Sequence, residues 1–364
     1  MKKMLSLAAM LAVLSYASPA SAELKFGGDA SVRERAEFKS FQNDDVKSQY
    51  RIRLKAAADL GSGYFFKTML MNEENLAGGW QTVGYGNSEK ITVDVSNFYF
   101  GRMMADSHYM MGRIPLNSFN NPVLDLSLYP MQALDTPVFN INYDRAYGFN
   151  YGTKLGNGDL SATILVLDNI APTSREGLLN DGYGVHLSYK TTVGDVTLEP
   201  QFLTVLGSTD IWSQTKVYTA AATAAATGYA DPTADLTFAK RVTPWTFGAT
   251  ASVPAGEAKL SGAAFYNFAN DGAVDYHSTL VRVKGEYGPV MAWVDYNAAR
   301  DNALGHDYSN TFVWAQYKYS VYESAAGTFS LQPTVRWLTT SDETATSNTD
   351  NSTLRAELWA TVTF

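Results

Sequence analysis

The sequence predicts an all-β protein: a transmembrane antiparallel β-barrel of about 16 strands, with short periplasmic turns and long outer loops. Three observations carry that prediction. They are an export signal at the N-terminus, alternation of apolar and polar residues over runs of ten or so, and short and long connections that alternate strictly along the chain.

The export signal comes first. Lys2 and Lys3 precede an apolar run from Met4 to about Leu14, and Ala20-Ser21-Ala22 supplies the small residues of a cleavage site. The run is too short for a membrane-spanning helix, which needs about 20 apolar residues. Residues 1-22 therefore read as a signal peptide, leaving 364 − 22 = 342 residues, 23-364, for the barrel. No later segment offers 18 consecutive apolar residues, and the mean hydropathy is −0.16, which excludes a helical membrane protein. A barrel passes that filter because each strand averages a lipid-facing and a lumen-facing row.

Composition agrees. The chain has 22 Tyr, 18 Phe, 7 Trp and 28 Gly, no Cys and four His. Without cysteine there are no disulfides and no thiolate metal sites. Removing Lys2 and Lys3 takes the net charge from −8 to −8 − 2 = −10, which argues against nucleic acid as a partner.

The strands follow from parity. From Leu354 to Phe364 the even positions are apolar, while the odd ones read Arg355, Glu357, Trp359, Thr361, Thr363. Tyr50 to Leu60 alternates with Arg51, Arg53 and Lys55, and the same rhythm recurs at 183-190, 281-287 and 329-337. Such runs have the length that crosses a bilayer when tilted. Tight turn signals stand at Gly61-Ser62-Gly63, Ala105-Asp106, Gly156-Asn157-Gly158, Val193-Gly194-Asp195, Pro254-Ala255-Gly256, Gly288-Pro289 and Ala325-Ala326-Gly327. Between them lie longer connections at about 39-48, 73-90, 117-140, 169-181, 208-242, 270-277, 300-310 and 340-351. The alanine-rich stretch 219-227 falls in the fifth of these. Seven turns and eight loops are what 16 strands with both termini in the periplasm require. Phe26, Phe38, Tyr50, Tyr189, Trp245, Phe268, Tyr287, Tyr296, Trp337 and Phe364 fall on the lipid-facing parity near strand ends, where aromatic rings favour the interface.

Parity also assigns the lumen. Arg33 and Arg35 on the first strand, Arg51, Arg53 and Lys55 on the second, and Lys67 on the third form a basic ladder on the inner wall. Like charges so close need water or acids opposite them. The expected counter-charges are Asp125 and Asp135 on the third outer loop, about 117-140, with Asp94 and Asp144 on the neighbouring strands. If that loop folds inward, a transverse field crosses the constriction and sorts permeants by charge. Arg113, in the block Gly112-Arg113-Ile114-Pro115-Leu116 before the loop, is counted with these pore-lining residues.

Together, the leader, the strand pattern, that block and the terminal Phe364 resemble the Gram-negative trimeric general porins. The resemblance implies a water-filled channel in the cell outer membrane for small hydrophilic solutes and ions, with lipid and lipopolysaccharide around it. It also implies a third loop folded into the pore, a homotrimer built on the first and last strands, and a C-terminal strand ending at Phe364 that the barrel-assembly machinery reads. No cofactor, metal or catalytic residue is implied. The loop sequence Asn117-Ser-Phe-Asn-Asn-Pro-Val-Leu-Asp-Leu-Ser-Leu-Tyr-Pro130 departs from the Pro-Glu-Phe-Gly-Gly type of enteric members, so which acid lines the constriction stays open.

Two other functions compete. Trp293, Trp314 and Trp359 read as inward-facing and could form the aromatic track of a sugar-type channel, or pack beneath an inserted loop. An outer-membrane enzyme would need one of His108, His186, His277 or His306 beside a nucleophile or acid. Asp275 and Asp307 are near in sequence, but no nucleophile elbow, metalloprotease pair or phosphate loop is present.

Overall fold

The computed structural model of the chain describes residues 23-72, 80-84, 91-116, 121-131, 134, 145-168, 182-206, 244-271 and 274-364. Residues 1-22, the alanine-rich stretch, Asp135 and Asp144 lie outside the described residues.

Sixteen barrel strands stand among them. They are β1 (Glu23–Lys39), β2 (Asp45–Gly61), β3 (Tyr64–Met71), β4 (Asp94–Met103), β5 (Ser107–Pro115), β6 (Arg145–Leu155), β7 (Gly158–Asp168) and β8 (Gly182–Val193). Then follow β9 (Val196–Leu206), β10 (Trp245–Ala255), β11 (Ala258–Asp271), β12 (Val274–Tyr287), β13 (Val290–Asp301), β14 (His306–Tyr317, resumed at Tyr319–Ser324), β15 (Gly327–Glu343) and β16 (Asn348–Thr363). Each pairs antiparallel with its neighbours, and β16 returns to β1 with Asp29 opposite Thr363 and Lys39 opposite Thr353, so the sheet closes and has no edge. The seam is tied at its periplasmic end by reciprocal bonds between Gly28 and Phe364, at 2.9 and 3.1 Å. A Cβ on Gly28 would meet the Arg53 carbonyl oxygen at 2.3 Å and the Phe364 ring at 3.0 Å, so glycine is what fits between β2 and the terminal ring. Outside the regular strands, Gln81–Thr82 pairs with Gln49 and Tyr50 of β2, and a helix α1 (Val123–Leu128) lies on the third loop.

All seven short turns fall where turn chemistry places them. The outer loops differ: ladders continue to Asp271↔Val274, Asp301↔His306 and Glu343↔Asn348, leaving far shorter connections than 270-277, 300-310 and 340-351. The cause is physical. Above the bilayer both faces of a strand meet water, so the alternation fades while the backbone ladder does not.

The outer surface carries an apolar belt, with Phe26 63%, Val32 59%, Val283 65% and Leu358 49% exposed among many others. Water would not tolerate so large an apolar face; acyl chains would. Rings pair across strands within it, as in Phe98 with Tyr147 and Phe247 with Tyr266, at 6.0 and 5.6 Å.

The first turn makes a stability prediction. Gly63 has φ +81°, and a Cβ there would meet the Met103 carbonyl oxygen at 2.0 Å. Gly63→Val should lower unfolding stability in urea by at least about 1–2 kcal/mol. An unchanged midpoint would contradict the turn geometry.

Candidate functional site: the barrel lumen

The lumen has three parts, each built from strand parity. The first is a charged girdle on β15, β16, β1 and β2. Closure sets Arg35 opposite Glu357, Glu37 opposite Arg355, and Arg336 opposite Arg355. Glu357 sits at the centre: Arg35 Nε reaches it at 2.6 Å, Arg336 Nη2 at 2.6 and 2.8 Å, Arg33 Nη1 at 3.5 Å, and Trp359 Nε1 donates to it at 2.8 Å. Glu37 takes Arg355 and Lys39, and Asp29 takes Arg53 at 2.8 Å and Arg51 at 3.6 Å. Arg33 also bonds Gln49 and lies 4.0 Å over the Trp80 ring, with Arg51 4.7 Å from the same ring. Six arginines and Lys39 against three carboxylates leave 7 − 3 = 4 positive charges.

The expected ladder is therefore half of a larger array. Arg33, Arg35, Arg51 and Arg53 come together as parity predicts. Glu357 and Asp29 on the wall itself pair with them, and Glu37 beside them pairs with Arg355 and Lys39. Asp125 is buried on α1, which packs against β9 to β12 on the far side of the barrel. Asp94 is exposed at the outer end of β4. Sequence reasoning missed Arg336, Arg355, Glu357 and Trp80 as members of the site. The signal was the odd parity of the last two strands, which lacked only the closing register.

Arg113 requires a correction. Ile114 packs inward and is 2% exposed, whereas Arg113 stands in register with the outward Phe98 and Tyr147, bonding the Val95 carbonyl at 3.2 Å. It lies on the outer face. Polar-in, apolar-out fails here because the loop fills this part of the lumen with apolar side chains.

That filling is the second part. The third loop does fold inward. Ser127 Oγ and Thr246 Oγ1 lie 2.5 Å apart, Ser278 Oγ donates to the Pro130 carbonyl at 2.7 Å, and Asn310 Nδ2 to that of Met131 at 2.9 Å. Val123, Leu124, Leu126 and Leu134 pack with Leu203, Phe265, Phe312 and the tryptophans of the wall. Trp293 and Trp314 stack at 4.7 Å and are 2% and 0% exposed, with Arg336 4.6 Å over Trp314. These indoles are packed beneath the loop, and their faces are covered.

The third part is the periplasmic half. A cavity of about 860 Å³ opens there, lined by Lys25, Arg51, Arg53, Lys55, Lys67 and Arg145, with no carboxylate among its lining residues. A second, of about 650 Å³, has Lys190, Lys259, Arg282 and Lys284 against Glu199 and Glu286. Lys55 and Lys67, the lower rungs of the ladder, are exposed to the first cavity. Both compartments thus carry a positive surplus.

The histidines bond amides or rim acids. His186 meets Gln201 at 2.9 Å, His108 meets Asn150 at 3.0 Å, and His306 Nδ1 lies 2.9 Å from Asp342, while Asp307 pairs with Arg300. His277 stacks on Tyr266. Among the described residues, no three or more His, Asp or Glu come together to hold a metal ion.

No protein-family model and no curated protein matches the chain. Solved structures do. OmpT of Vibrio cholerae, folded in vitro, is 11% identical, with 96% of this chain and 99% of that chain covered and a TM-score of 0.58. Its trimer form is 12% identical over 93% and 99%, at 0.54. An anion-selective porin from Comamonas acidovorans is 10% identical over 94% and 100%, at 0.53. At such identities the shared property is the fold, a closed antiparallel β-barrel of the kind these porins have.

Proposed function

We propose that this chain is an outer-membrane porin that passes small hydrophilic solutes and ions by passive diffusion and favours anions. One observation carries the reading: a closed barrel whose periplasmic cavity presents six cationic side chains and no carboxylate. Fixed charges in a narrow aqueous passage raise the local concentration of the opposite charge and repel their own. The anion selectivity named for the Comamonas structure supports the same reading. The barrel is a transport scaffold rather than an enzyme, since its inner histidines are bonded to amides. Sugar-type conduction along Trp293, Trp314 and Trp359 is disfavoured because a sliding sugar needs open ring faces.

The same proposal includes the setting. Residues 1-22 direct export and are removed, residues 23-364 form the barrel, and the strand ending at Phe364 is presented to the assembly machinery. Lipid and lipopolysaccharide surround a homotrimer, a state recorded for the Vibrio protein. Reconstituted in planar bilayers, the protein should give stepwise conductance that grows with salt concentration. A folded barrel that never conducts would overturn the porin reading.

A further inference from the structure

Glu34 and Arg113 are a matched pair of charges on the outward face. Glu34 lies between the buried Arg33 and Arg35 and points away from the lumen, among Val32, Tyr50 and Leu358; its bond is from Ser48 Oγ at 2.8 Å. Arg113 points the same way beside Phe98 and Tyr147. Among the described residues, other outward charges stand at the rims, as Arg102 does at the turn after β4 and Arg300 and Asp307 do at the outer ends of β13 and β14.

Depth sharpens the match. Glu34 is eight residues above Phe26 and four below Phe38, so with about 3.3 Å per residue and a tilt near 45° it lies ~19 Å above the inner aromatic boundary and ~9 Å below the outer one. The ladder row Phe26↔Ala56↔Thr68↔Phe98↔Arg113 runs from the periplasmic end of β1 to the outer end of β5. Each strand step of about 4.8 Å climbs ~3.4 Å at that tilt, which puts Arg113 ~14 Å above Phe26. Both charges thus sit well inside the apolar belt, within ~5 Å of one another in depth. Along the sheet they are four strand spacings (about 19 Å) and eight residues (about 26 Å) apart, about 33 Å in all, so they cannot meet within one chain. A charge facing lipid at that depth is costly.

We infer that the outer face of β1 to β5 docks on a second copy of this chain, and that Arg113 of one copy pairs with Glu34 of the next. Rotation about an axis along the membrane normal keeps depth constant. Two opposite charges at nearly one depth on the two flanks of a face are therefore what a closed ring needs, and such a head-to-tail contact satisfies both in every copy. Between the flanks, the small residues Ala30 and Ala56 permit close approach. The inference rests on the homotrimer reading and adds the contact that fixes its register.

The test is a charge exchange, read by sedimentation of the purified full barrel in detergent and by migration of unheated samples. Glu34→Arg and Arg113→Glu should each weaken association at least tenfold, and the double exchange should restore it to within about twofold. Single-chain sedimentation of the unaltered protein would overturn the homotrimer reading itself. A stable oligomer indifferent to the single exchanges, or a double exchange as weak as the singles, would overturn only the pairing. Heat-modifiable migration reports folding of each variant. Glu34→Gln with Arg113→Gln, which places no charge in the belt, should fold and still associate at least tenfold more weakly; undiminished association would also overturn the pairing.

Discussion

Glu357→Gln should destabilise the barrel by about 3–5 kcal/mol, the usual cost of removing one partner from a buried ion pair. The carboxylate is fully buried and takes Arg35, Arg336 and Arg33. Glutamine keeps the volume but removes the charge, leaving three guanidinium groups packed against one another with Arg355 nearby. Two arginines already face each other across the β15–β16 ladder, an arrangement a sheet tolerates only with acids between them. The measurement is the guanidinium or urea midpoint of the purified barrel. Glu323→Gln, exposed at the end of β14, should fall within about 0.5 kcal/mol of the unaltered protein. Equal midpoints for the two variants would show that the girdle is solvated and that Glu357 does not organise it.

The second large effect concerns selectivity. Lys55→Gln with Lys67→Gln removes two of the six cations lining the larger cavity and touches none of the buried arginine pairs. Two unit charges a few ångströms apart in water interact by about 1 kcal/mol, so the anion-to-cation permeability ratio should fall several-fold. The change should be large at 0.1 M salt, where screening acts over about 10 Å, and small at 1 M, where it acts over about 3 Å. Lys259→Gln, in the compartment where Glu199 and Glu286 offset the cations, should change the ratio less. A ratio that does not move with Lys55 and Lys67 would remove the vestibule from the selectivity account.

The barrel was legible because its two signals are local. Period-two parity needs only a residue and its neighbours, and a turn such as Gly61-Ser62-Gly63 declares itself by composition. The site was legible only where it also was local. Arg33, Arg35, Arg51 and Arg53 share one hairpin, so parity alone gathers them. Glu357 is 322 positions from Arg35 in sequence, and their contact exists because the last strand closes on the first at one register. Trp80, which carries Arg33 on its ring, stands in a segment read as outer loop, where no periodicity points inward. Arg113 was misplaced for a different reason: α1 makes the adjacent inner wall apolar, so Ile114 faces the lumen and the charge faces out. Hydropathy reads the environment of a face, not its direction. Likewise Asn270 and Asp275 read as loop because they are polar, although they are ladder partners above the bilayer.

On the proposed function, the positive surplus of the lumen governs what crosses. The most direct measurement is the reversal potential of the unaltered protein in a planar bilayer separating two concentrations of potassium chloride. The potential should have the sign set by chloride and shrink as both solutions are made more concentrated. A potential of the sign set by potassium would contradict it.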